Sequence, residues 1–179
     1  VNHAGRLLVA TPLIADPTFE RTVVLLLSHG PDGAFGVVLN RPSDTAVDEV
    51  APAWAGVAEA PGVVFVGGPV ARDAVLGLGC PRGVVPGATL LAGGCTTVDL
   101  HQAPDDGSGW ATVRLFAGSA GWAGGQLEDE LAEGAWWTVD AEPADLLTTD
   151  PEHLWATVLR RQGGETAWFA IHPDDPSAN

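Results

Sequence analysis

Two runs dominate the hydrophobic pattern of this chain. Thr22 to His29 and Ala34 to Asn40 are β-rich and almost unbroken by polar residues, with Gly30-Pro31-Asp32-Gly33 between them. The pattern predicts a hairpin with a four-residue loop, and its continuous apolar character predicts strands buried on both faces. A shorter strand is expected over Arg6 to Ala10, ended by Thr11-Pro12 and the Asp16-Pro17 turn, where proline fixes the backbone and removes an amide donor. Further strands are expected over Val63 to Val66, Ala74 to Leu78, Thr89 to Ala92 and Ala111 to Ala117. In the strand expected over Ala135 to Val139, Trp136 and Trp137 must face opposite sides.

Helical spacing is sparser. Pro42-Ser43-Asp44-Thr45 offers capping side chains to a short helix over Val47 to Trp54, with Asp48 and Glu49 near its positive end. Gly118 to Gly125 reads as a small-residue loop leading into a helix over Gln126 to Glu133, whose Leu127 and Leu131 share a face and whose stop is Gly134. Leu154, Trp155, Val158 and Leu159 form the apolar stripe of a last helix, Pro151 to Arg161, with Arg160 and Arg161 suited to its negative end. The polar break at Pro104 to Gly109 reads as a loop, so the expectation is a single domain over residues 1–173 with a loose tail over 174–179.

Composition narrows the function more than the fold. At 179 residues and 46% apolar content, the chain is long enough to bury a sizeable core. Its longest apolar run, Val23 to Leu27, falls far short of the roughly 20 residues needed to span a bilayer. The opening Val1 to Arg6 lacks the basic and apolar regions of a secretory leader, and no membrane association is expected. The net charge of −15 falls mostly after residue 90, which disfavours direct nucleic-acid binding, because a phosphate backbone is held by basic side chains. Every basic side chain is arginine. Without lysine there is no Schiff base, phosphate-loop lysine or lysine general base. Cys80 and Cys95, with residues 81–94 between them, read as ordinary thiols filling strand positions rather than as a disulfide or a zinc pair.

The motifs, taken together, resemble a known family. Leu7 to Pro12 is followed by Asp16-Pro17-x-Phe19-x-Arg21-x-Val23-Val24, then Gly33-Ala34-x-Gly36-Val37-Val38-Leu39-Asn40-Arg41-Pro42. Val64-x-Val66-Gly67-Gly68-Pro69-Val70 comes next, and Gly121-Trp122-x-x-Gly125-Gln126-Leu127-Glu128-x-Glu130-Leu131 precedes Trp136. In this order they resemble the AlgH/YqgE proteins of bacteria, whose function is poorly defined. The resemblance implies an α/β fold of the α+β type, with a mixed, mostly antiparallel sheet curled into a barrel-like body against flanking helices. It also implies a cytoplasmic protein; the family name comes from a proposed regulatory role in alginate production, which is not a biochemical activity. The chain departs from the family at Ser119, where tyrosine is common, and along Cys95 to Leu100.

Candidate chemistry is weighed against packing at each motif. The glycines at 67–68 and 118–125 either present amides to an anion or permit tight turns, and the acids at 128–130 favour the second reading. Ser119 has Gly121 after it but Ala117 before it, an incomplete nucleophile elbow. His29 stands alone at a strand end and reads as a structural or solvated side chain rather than a base. His172 and the acids after it offer at most loose metal chelation. Glu128, Asp129, Glu130 and Glu133, with Asp99 or Asp16, form the sharpest enzyme alternative, a metal-assisted hydrolase or nuclease, yet consecutive helical acids point about 100° apart. Arg41 either pairs with Glu130 or Asp16 or binds an anionic ligand. The reading that results is a non-enzymatic regulatory or binding module for an unidentified protein or small molecule, without cofactor, catalytic residue or metal site. Its candidate cleft is formed by Asn40, Arg41, Gly67, Gly68, Trp122, Gln126 and Glu130, and Trp54, Trp110, Trp122 or Trp137 offers an apolar patch to a protein partner.

Overall fold

The computed structural model describes residues 1–102, 104 and 109–171. The expected tail, the His172 segment and most of the Pro104 to Gly109 break lie outside these residues. Among them, nine strands form one sheet: β1 (Leu7–Ala10), β2 (Val23–Gly30), β3 (Gly33–Val38), β4 (Pro42–Ala46), β5 (Val63–Val66), β6 (Val70–Pro81), β7 (Thr96–Val98), β8 (Trp110–Ala123) and β9 (Trp136–Val139). Their order is β4-β5-β8-β3-β2-β1-β9, with β6 bonded to β8 and β7 beside that path. All strand ladders are antiparallel except β5 with β8. The mixed, mostly antiparallel sheet with flanking helices is the architecture expected.

The two apolar runs do form a hairpin, and Gly30 pairs directly with Gly33. The connection is therefore the two-residue turn Pro31-Asp32, tighter than the four-residue loop expected. Alternation then sorts the buried side chains to two faces. Leu7, Val9, Val23 and Leu25 join one cluster; Leu8, Ala10, Val24 and Leu26 join the other. Each fully buried Leu or Val contributes roughly 1.5–3 kcal/mol, so both sides of this hairpin hold the fold.

Helices cover the two faces. After α1 (Val47–Val50) comes α2 (Gln126–Ala132), which seats Leu127 among the second cluster. Beyond α3 (Pro143–Leu146), α4 (Leu154–Gln162) buries Leu154, Trp155, Val158 and Leu159 in the first. That is the stripe expected, and Arg160 and Arg161 do stand in the last turn. It is not the last helix, because α5 (Gly164–Phe169) follows the turn at Gly163. Trp136 belongs to one cluster while Trp137 packs against the other, as strand alternation requires.

Several expectations need correction. Ser43 to Ala46 are strand residues, and α1 is followed by a separate 3-10 turn over Pro52–Val57 instead of running to Trp54. Thr89 to Ala92 forms no strand beyond a single bridge from Leu90 to Thr96. The supposed loop at Gly118 to Gly125 is largely strand, since β8 runs to Ala123. Gly67 and Gly68 let this strand approach them closely: the Gly118 carbonyl occupies the space of a Cβ on Gly67, and the Ser119 carbonyl that of a Cβ on Gly68.

The two cysteines are not free thiols. Cys80 and Cys95 form a disulfide, with Cα atoms 4.1 Å apart. The β6–β7 ladder pairs Gly77 with Val98, Leu78 with Thr97 and Gly79 with Thr96, so the next step of that register sets Cys80 opposite Cys95. Spacing along the chain concealed this, because the excursion through residues 81–94 returns to the same ladder.

Candidate functional site

The Asp16–Arg21 segment between β1 and β2 is held at both ends. On one side Asn40 accepts the Val23 amide at 3.0 Å and donates to the Arg21 carbonyl at 2.9 Å, while Arg41 donates to the Glu20 carbonyl at 2.6 Å. Arg41 thus bonds to main chain, not to the Glu130 or Asp16 carboxylate. Arg21 has φ of 54° and lays its guanidinium 4.9 Å from the Trp155 ring centroid. On the other side Phe19 stands edge-on to Trp136 at 5.8 Å and tilts against Trp122 at 6.4 Å.

Glu130 organises this aromatic cluster from α2. One carboxylate oxygen accepts the indole N–H of Trp122 at 2.9 Å and that of Trp136 at 2.8 Å; the other accepts the Gln126 amide at 2.9 Å. Charge-assisted bonds of this kind are about twice as strong as neutral ones. They tie α2 to β8 and β9 through a single side chain. Gln126 also accepts the Ala123 amide at 3.0 Å, closing the turn into the helix. Around the cluster lies a cavity of about 190 Å³ lined by Ile14, Asp16, Phe19, Gly121, Trp122, Gln126, Glu130, Ala135 and Trp136.

Beside it, His29 and Glu128 form a second polar unit. His29 Nδ1 accepts the His3 amide at 3.1 Å, so Nε2 carries the hydrogen and donates to Glu128 at 2.7 Å. The Glu128 carboxyl is held below the usual carboxylate range, first by its own backbone amide and then by His29. The His3 ring, stacked on His29 at 5.5 Å, is pushed below its ordinary value mainly by burial and then by His29. His29 is therefore buried and tied into the fold through both ring nitrogens, with His3 beside it, and is neither solvated nor isolated.

The acids do not assemble into a metal site. Glu128 turns to His29 and Glu130 to the indoles, and no group of three or more His, Cys, Asp or Glu side chains among the described residues is placed to hold a metal ion. Ser119 is buried within β8, not raised on an elbow. Of the tryptophans expected to offer an apolar patch, Trp54 is buried against Trp110 and Trp137 packs on Phe169. A larger hollow of about 750 Å³, lined among others by Trp54, Arg82, Asp99 and Trp110, includes none of the motif residues.

The AlgH-like family model, DUF179, matches residues 7–167. The chain belongs to the AlgH-like family. A UPF0301 protein of Streptomyces avermitilis is 52% identical to it over 98% of this chain and 94% of its own length. A UPF0301 protein of Mycobacterium tuberculosis is 43% identical, over 99% of this chain and 91% of its own. Among solved structures, a crystal structure of a Corynebacterium diphtheriae protein superposes with a TM-score of 0.88 at 34% identity, covering 95% of this chain and 92% of that one. The solution structure of AlgH from Pseudomonas aeruginosa gives 0.67 at 32% identity, covering 94% and 93%.

In this AlgH-like chain the motif residues divide into three groups. Trp122, Gln126 and Glu130 converge on the small cavity, while Asn40 and Arg41 act one step away by fixing the loop that carries Phe19. Gly67 and Gly68 lie outside the lining and serve the approach of β5 to β8. Phe19 and Trp136 were not singled out as site residues, although both stand in the quoted motifs. Their only signal was an aromatic beside each motif, Phe19 after the Asp16-Pro17 turn and Trp136 after the acidic helix.

Proposed function

We propose that this AlgH-like chain is a non-enzymatic regulatory or binding module of the cytoplasm, and that it engages a protein or small-molecule partner through the cavity bordered by Phe19, Trp122, Gln126, Glu130 and Trp136. The supporting observation is the commitment of its carboxylates. Glu130 accepts hydrogen bonds from three neutral donors and Glu128 accepts one from His29, so both acids are bound up in holding helix to sheet. A metal-dependent hydrolase would need several such groups turned to one point, and these two turn to different partners. With eight arginines and no lysine against 23 acids, regulation through a bound partner fits this surface better than direct contact with nucleic acid.

Two measurements test the reading. Crosslinking capture with the intact chain and with Phe19→Leu is expected to recover a stoichiometric partner with the first and to lose it with the second. Calorimetric titration with Mg²⁺ and Mn²⁺ is expected to be silent. Heat accompanied by a raised melting temperature overturns the non-enzymatic reading.

A further inference from the structure

The lining of the small cavity has an unbalanced charge. Asp16 and Glu130 contribute two carboxylates, Gln126 is neutral, and the remaining side chains are apolar or aromatic. No basic residue lines it. Glu130 holds only neutral donors, and the ion pairs among the described residues leave it without a cation. A carboxylate has about four lone-pair sites, of which three are used here, so one remains for a further donor. Asp16 accepts the Thr18 amide at 2.9 Å through one oxygen. At about 190 Å³ the cavity is smaller than the roughly 300–1,000 Å³ of drug-sized sites and suits one side-chain-sized group.

We infer that this cavity receives an organic cation, an ammonium or guanidinium head on an alkyl stem. The inference rests on the binding reading above and names the ligand class of the same site. Glu130 and Asp16 supply the charge, and Ile14, Phe19, Trp122 and Trp136 supply an apolar and aromatic wall for the stem and head. The net charge of −15 raises the local concentration of such groups. A lysine or arginine side chain of a partner and a free small amine share this chemistry.

The test uses the full chain labelled with ¹⁵N, because the Trp122 and Trp136 indole N–H groups are bonded to the acceptor in question. At fixed ionic strength, butylammonium is expected to shift both indole signals saturably while butanol leaves them unmoved. Asp16→Asn, which keeps the turn acceptor, is expected to weaken butylammonium about fivefold, and Phe19→Leu to weaken it as well. Tighter binding of a capped lysine than of butylammonium identifies a peptide source, and equal or weaker binding a free amine. Absence of any shift, an equal shift with butanol, or undiminished binding in both variants overturns the inference. If butylammonium fails while Phe19→Leu still loses the captured partner, the cation assignment falls alone. If butylammonium binds and capture survives Phe19→Leu, the partner reading falls instead.

Discussion

The guanidinium carbon of Arg114 lies 4.2 Å from the centroid of the Phe65 ring, and both side chains are buried. Its nitrogens donate to the Thr148 carbonyl at 2.5 Å and the Ala60 carbonyl at 2.6 Å. Burial brings the group down to about 10, partly offset by Glu59, so it stays charged at neutral pH. Arg114→Leu strips the buried Thr148 carbonyl and the part-buried Ala60 carbonyl of their donor and is expected to destabilise the fold by about 2–4 kcal/mol, read from urea unfolding.

Reduction of the Cys80–Cys95 disulfide is expected to be costly. The bond closes a loop with a separation of 15 residues, for which the chain-entropy model gives about 3 kcal/mol. Melting with and without a reductant measures the loss. Thiol labelling of the unfolded chain should find no reactive thiol before reduction; two at that stage would contradict the bond.

Glu128 sets an acid limit. Its carboxyl is depressed in the folded state, so its contribution to stability is fully present above the ordinary carboxylate value and lost as pH falls through the depressed one. Carbon-detected NMR titration should place it below the ordinary glutamate value. In His29→Gln the midpoint should rise only partway back, because the backbone amide is the larger cause.

Gly68 and Gly121 should respond oppositely to alanine. At Gly68, φ is 151° and a Cβ would overlap the Ser119 main chain, so Gly68→Ala is expected to cost about 3 kcal/mol or more. At Gly121 nothing lies within 4 Å of the added Cβ, so that change should stay within about 1 kcal/mol. Thermal melts of both variants decide the matter.

Legibility of the fold followed the length of the hydrophobic signal. The Val23–Leu26 and Gly33–Val38 strands and the Leu154–Leu159 stripe were readable because each buries a run of apolar residues. The Thr96–Val98 strand was hidden, being three residues long with two of them threonine, and with it went the clue that Cys95 faces Cys80. The continuation of β8 through Gly118 was unreadable for another reason: a glycine in a strand looks like a loop until the backbone that crowds it, here the Gly68 carbonyl, is known. At the site, Glu130 and Trp122 could be named from their motif, but the bond between them depends on how α2 packs across β8 and β9.

The strand Trp110–Ala123 bonds to β6 along most of its length, to β5 at Phe116 and Ala117, and to β3 from Ala120 onward. It is the shared hinge-pin of every ladder it touches, so these ladders have no seam along which they could part. Its central amides, around Leu115 and Phe116, should exchange with solvent only in the rare molecules that have opened completely. A proteolytic nick anywhere in this strand would then dissolve the three ladders at once rather than free a stable half.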